Sequence, residues 1–115
     1  MASQKKAIYK AGHERFGQWL RSIRESKKLP LRAVAAAAEM DQAHLSKAEL
    51  GQRSLTADQA SAIAKFYDID PNDVEARRIV ERFRTEHAEN PAAAQAIIML
   101  HEDPVIYGRK NEQQL

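Results

Sequence analysis

Residues Leu29 to Arg53 read LPLRAVAAAAEMDQAHLSKAELGQR, two short helical stretches separated by a tight turn. From Ala33 to Ala38 the chain is an almost unbroken run of helix formers that places Val34, Ala35 and Ala38 on one face. Pro30 suits the first position of this helix, where its missing N–H leaves no bond unmade. The run halts around Glu39 and Met40, and Asp41 then offers an N-cap. Its carboxylate can accept from the free N–H groups of the next turn, and its charge suits the positive helix end. Gln42 to Leu50 forms the second helix, closed by Gly51, because glycine enters the left-handed region without a Cβ penalty.

The second helix divides cleanly. Leu45 and Ala48 lie three apart and pack inward, whereas Gln42, Ala43, Ser46 and Lys47 point elsewhere. That outer face is short, polar and uncluttered, and its groups match the edges of base pairs. Glutamine can bind adenine N6 and N7 bidentately, lysine can reach guanine O6 or a phosphate, and the Ala43 methyl can touch that of a thymine. Two readings stand for His44: a contact to a base or phosphate, or an exposed or packing side chain.

With 115 residues and 43% hydrophobic content, the chain can bury one small core. It has no cysteine, so neither a disulfide framework nor a thiolate metal site is available. Nowhere do 18 apolar residues run together, and a soluble cytoplasmic protein is expected. The net charge of +2 hides a division along the chain. Residues 1 to 53 carry 11 Lys or Arg against 5 Asp or Glu, and residues 54 to 115 carry 7 against 11. Such asymmetry points the first half toward a polyanion and gives the second half a different task.

From Phe16 to about Val74 the chain resembles the helix-turn-helix domain of the Cro and lambda-repressor type, also called the XRE family. The resemblance rests on Leu20, Ile23, Arg24 and Leu29, on Val34-Ala35, on Asp41 through Leu45 with Glu49 and Gly51, and on Ala64-Lys65, Tyr67, Ile69 and Asp73-Val74. It implies an all-α, five-helix domain whose third helix enters the major groove of DNA. It also implies an ion pair between Arg24 and Glu49 that ties the first helix to the end of the third. At Leu31 the family often carries a glutamine that holds a phosphate; leucine cannot, which passes that contact to Arg32. At Glu39 the family often carries glycine, so glutamate in a left-handed turn would bear strain of roughly 1 kcal/mol. Gln52, Arg53 and Ser54 follow Gly51 in a loop expected beside the DNA backbone, with phosphate contact from Arg53.

Around this motif, residues 1 to 15 read as a basic arm carrying Lys5, Lys6, Lys10 and Arg15, which either gains phosphate or minor-groove contacts on DNA or is a frayed terminus. The first helix, from Phe16 to about Lys28, puts Phe16, Leu20 and Ile23 inward with Trp19 at the margin. A fourth, Leu55 to Asp68, has Thr56 as N-cap and Ala60, Ile63, Ala64 and Tyr67 on its inner face. A fifth restarts with Asp70 as cap and Pro71 at the first position, and a last one follows Asn90-Pro91. The helix-turn-helix domain is expected over 16–76 and a helical extension over 77–115. Val80, Phe83, Ile97, Ile98 and Leu100 form an apolar set too small for a core of its own, which predicts a symmetric homodimer; the alternative is a hairpin folded back on its own domain.

The four histidines, His13, His44, His87 and His101, form no ligand set, so no metal or other cofactor is expected. No phosphate-binding glycine loop or nucleophile elbow occurs, and no enzyme is argued. The expectation is a sequence-specific DNA-binding transcriptional regulator, read as a repressor, that acts on double-stranded DNA as a homodimer and touches no membrane. The alternative from another class is a protein-interaction module, such as an antitoxin, that uses the C-terminal helices to hold a protein partner.

Overall fold

The structure, a computed structural model, describes residues 14–108. The expected arm, apart from Glu14 and Arg15, and most of the expected tail lie outside the described residues. Among the described residues six α-helices follow one another: α1 Phe16–Ser26, α2 Leu31–Ala37, α3 Gln42–Glu49, α4 Ala57–Tyr67, α5 Pro71–His87 and α6 Ala93–Glu102, with a π-turn at Pro104–Gly108. No strand occurs among the described residues. The fold is all-α, a five-helix helix-turn-helix domain with a C-terminal extension. Two compact units divide the chain between Arg82 and Phe83, within α5.

In the first unit a core of thirteen apolar residues is drawn from α1 to α5 and the loop before α4. Leu20, Val34, Leu45, Ile63, Tyr67 and Val74 are its largest fully buried members. Ala60, Ile63, Ala64 and Tyr67 line the buried side of α4, as their spacing predicts. Gly17 is buried where α1 crosses α3, and a Cβ there would lie 2.1 Å from the Ala48 carbonyl oxygen. Two backbones meet at that point, so the position admits no side chain.

Four helices end on the same device. After α1 the N–H of Leu29 donates to the Arg24 carbonyl, after α2 Met40 to Ala35, after α3 Gln52 to Lys47, and after α4 Ile69 to Ala64. Each closure needs one left-handed residue, and these are Lys28 (φ 56°), Glu39 (φ 51°), Gly51 (φ 76°) and Asp68 (φ 57°). Glu39 thus bears the positive φ expected of it. Leu29, Met40 and Ile69 turn from these closures onto the core, which offsets the strain at the residue before each. At the other ends, Thr56 and Gln59 exchange two bonds in a capping box. The Asp70 carboxylate accepts from the Asn72 N–H at 3.0 Å.

Two capping expectations are corrected. Pro30 is the N-cap of α2 rather than its first residue, with extended backbone at ψ 153°. Asp41 occupies the N-cap of α3, but its carboxylate accepts no capping bond. That carboxylate is exposed, where water competes for its oxygens, and only its charge favours the helix end.

Residues 77–82 of α5 belong to the first unit, where Arg77, Arg78 and Glu81 are among the side chains engaged. The Arg77 guanidinium lies 4.2 Å from the centre of the Trp19 ring and bonds Asp73. Arg78 makes two bonds to Glu75, which hold the Glu75 carboxyl below its usual range. Glu81 accepts from Arg15 and, at 3.1 Å, from the Phe16 N–H, so a carboxylate on α5 caps the start of α1. In the second unit Phe83 packs on His87 with ring centres 4.9 Å apart, and the Asn90 side chain accepts from the Ala92 N–H ahead of α6. No residue of α6 is buried.

Candidate nucleic-acid interface

The face expected to meet DNA stands on α3, and three supports hold that helix from behind. Leu45 and Ala48 enter the core. Gly17 lets α1 approach the Ala48 and Glu49 carbonyls closely. Glu49, 7% exposed, is the one charged residue buried among those described. It accepts two bonds from Arg24, Nε to Oε2 at 2.8 Å and Nη2 to Oε1 at 3.0 Å, while Nη1 donates to the Leu29 carbonyl at 3.1 Å. The pair is bidentate and part-buried, the geometry in which arginine and carboxylate bind most firmly. These bonds to Glu49 raise the Arg24 pKa against the opposing effect of burial. The Arg24–Glu49 pair implied by the resemblance is therefore present.

With Leu45, Ala48 and Glu49 inside, helical spacing leaves Gln42, Ala43, Ser46 and Lys47 on the opposite side. Gln42, Ala43 and Lys47 are exposed and Ser46 is half-buried. Leu50, one turn beyond Ser46, adds an exposed apolar side chain to this edge, 58% accessible. Nothing in the sequence separates Leu50 from a core leucine. The distinction depends on where Gly51 ends the helix.

His44 lies between the two sides. Its Nε2 is 3.0 Å from the Ser54 carbonyl oxygen; a carbonyl only accepts, so this ring nitrogen carries the proton. The bond joins α3 to the loop of Gly51 to Ser54, in which Gln52, Arg53 and Ser54 are exposed. Sequence spacing alone does not reveal this contact, because it depends on the path the chain takes after Gly51.

Apart from Arg82, which is also engaged, the cations of the described first unit fall into two groups. Arg15, Arg21, Arg24, Arg77 and Arg78 each pair with an acid. Arg32, Lys47 and Arg53, together with Lys27, Lys28 and Lys65, are exposed and pair with no acid among the described residues. Uncompensated charge at Arg32, Lys47 and Arg53 therefore sits on α2, on α3 itself and in the loop after it. Exposed cations without acidic partners are available to a negatively charged, hydrogen-bonding surface. No cluster of three or more potential metal-ligating residues occurs among those described. None of the described helices is long and apolar enough to cross a membrane.

A family model described as helix-turn-helix matches residues 20–74. Those bounds run from Leu20 in α1 to Val74 in α5, the first and last large core residues fully buried in the unit. No curated protein and no solved structure matches the chain.

Proposed function

Residues 20–74 are a helix-turn-helix domain of the XRE family, a domain of DNA-binding transcription regulators, and from this premise we propose that the protein is a sequence-specific repressor that binds an inverted-repeat operator as a homodimer. In this reading α3 lies in the major groove with Gln42, Ala43, Ser46 and Lys47 at base edges. Arg32, Gln52, Arg53 and Ser54 hold phosphates on either side. The observation that carries it is the exposure of Gln42, Ala43 and Lys47 on a helix whose other side is locked by Leu45, Ala48 and the Arg24–Glu49 pair.

The dimer rests on the C-terminal helices. Val80, Ile97, Ile98 and Leu100 are between 49% and 59% exposed, far more apolar surface than a short helical segment leaves to water without a partner. A second copy supplies an identical apolar set, and a two-fold pair reads two half-sites spaced by about one helical turn, roughly 34 to 36 Å, or a multiple of it. The same exposure supports a second reading, in which these helices hold a different protein, as an antitoxin holds its toxin. Light scattering on the purified chain separates them, since the homodimer doubles the mass without any addition.

Selection of bound fragments from a random duplex pool, followed by titration across salt, tests the DNA reading. Gln42→Ala is expected to cost about 1 to 3 kcal/mol and relax preference at one base pair. Arg53→Ala is expected to weaken binding to all sequences and flatten the salt slope by about one. If Gln42→Ala leaves base preference unchanged, α3 is not the reading element.

A further inference from the structure

We propose that His44 does not read DNA but positions the phosphate-binding loop, its imidazole acting as a latch that sets where Arg53 meets the duplex backbone. The inference deepens the DNA-binding reading above and rests on it. It starts from how the segment between α3 and α4 is held.

One end of that segment is closed by backbone bonds from Gly51 to the Ala48 carbonyl and from Gln52 to the Lys47 carbonyl. The other is held by Leu55, 5% exposed in the core, and by the capping box of Thr56. Between them Arg53 and Ser54 are exposed. What ties this stretch back to α3 is the His44 Nε2 bond to the Ser54 carbonyl at 3.0 Å, across ten residues of sequence. An arginine on a loosely held loop loses conformational freedom when it meets a phosphate, and that loss subtracts from its contribution to affinity. A loop already fixed at the neighbouring carbonyl has less freedom to lose.

The register of α3 agrees with this assignment. His44 follows Gln42 by two residues, about 200° around the helix axis, so it lies away from the edge shared by Gln42 and Ser46. Its hydrogen-bonded ring nitrogen is directed at the loop. The ring is thereby committed to the protein, while the bases are left to Gln42, Ala43, Ser46 and Lys47.

The test uses the full chain, a duplex selected from the random pool, and the variants His44→Ala, His44→Gln and Arg53→Ala with the His44→Ala/Arg53→Ala double variant. His44→Ala is expected to weaken binding roughly 3- to 10-fold on every duplex, with a shallower salt slope and unchanged base preference. His44→Gln, whose amide can also donate to the Ser54 carbonyl, is expected to recover most of the affinity. The double variant is expected to bind about as well as Arg53→Ala alone, because both changes remove one contact. Without DNA, backbone order parameters at Arg53 and Ser54 should fall in His44→Ala and return in His44→Gln.

Altered preference at a single base pair in His44→Ala, with the salt slope kept, would show that the ring reads DNA and overturn the latch. Additive effects in the double variant, or unchanged order at Arg53 and Ser54, would overturn it as well while leaving the regulator reading intact. Failure of the wild-type protein to select any duplex would overturn both.

Discussion

The two units of this chain treat apolar residues in opposite ways. In the first, Ile63 is completely buried, four helices close on left-handed residues, and the hydrophobic residues after three of those closures turn into the core. In the second, Ile97, Ile98, Met99 and Leu100 occupy four consecutive positions of α6, and each is at least 49% exposed. Four successive residues span the whole circumference of a helix, so no single packing face could bury them all. The first unit buries most of its large apolar residues and leaves Leu50, Phe66, Ile79 and Val80 at its surface, whereas the second leaves the whole apolar run of α6 exposed.

The largest expected effect tests whether the first unit depends on the buried charge of Glu49. Arg24→Ala would strand the Glu49 carboxylate, 4% exposed at the side chain. It is expected to cost about 3 to 5 kcal/mol of folding stability, measured by urea denaturation. Such a loss is a large fraction of a small domain's stability. A cost below about 1 kcal/mol would mean that α3 is held by its apolar contacts alone.

A paired truncation addresses the contrast directly. Ile63→Ala is expected to cost about 2 to 5 kcal/mol at any protein concentration, because the cavity it leaves lies inside one copy. Ile98→Ala is expected to leave the first unit's unfolding unchanged and to weaken self-association by about 1 to 2 kcal/mol, roughly 5- to 30-fold in Kd. Sedimentation across a concentration series reads the second effect. Equal effects of both substitutions on a monomer's unfolding would remove the distinction between the units.

The same contrast separates what local sequence encodes from what only the fold creates. The faces of α1 to α4 are legible in the sequence because short amphipathic helices with one buried stripe obey the 3.6-residue period; Ala60, Ile63, Ala64 and Tyr67 are an instance. Positive φ at Glu39 is legible only through the resemblance, since the family often carries glycine at that turn. Lys28 and Asp68, in the same conformation, carry no such signal, since neither type marks a helix end by itself. The close approach at Gly17 and the His44 bond to Ser54 depend on which helices cross and where a loop returns, which no local pattern encodes. On α5, the contacts of Arg77 and Glu81 leave no local mark in the sequence. Their partners, Trp19 and the start of α1, are more than fifty residues away in sequence.

Glu39 permits a smaller test of how well the first unit tolerates its own strain. Glu39→Gly would relieve the left-handed penalty at φ 51°, offset in part by the greater freedom glycine gives the unfolded chain. The expected net gain is about 0.5 to 1 kcal/mol by denaturation. Gly51→Ala, at φ 76° with open space around the new Cβ, is expected to lose about the same amount through backbone strain alone. If Glu39→Gly is neutral, the Met40 bond to the Ala35 carbonyl and the packing of Met40 on the core already hold the turn without measurable cost.

The smallest expected effect at neutral pH concerns the imperfection of the first unit's core. Tyr67 is 1% exposed, and its hydroxyl has no hydrogen-bond partner among the described residues. Burial first, and then the nearby Glu49 carboxylate, raise the pKa of this phenol above its ordinary value of 10.0. The folded protein therefore retains the Tyr67 proton at a pH where the unfolded chain releases it. The sign follows from the proton count. Above pH 10 the unfolded state binds fewer protons, so stability present below that pH declines as pH rises toward the folded-state value. Tyr67→Phe removes the group that titrates and the polar atom left unsatisfied. At pH 7 it is expected to change stability by less than about 1 kcal/mol in either direction, while flattening the loss of stability between pH 10 and 11.5. Denaturation of both proteins at pH 7, 10 and 11.5 measures the difference in slope. Parallel alkaline slopes would mean that the hydroxyl reaches water in the folded state, and that the first unit's core opens at Tyr67.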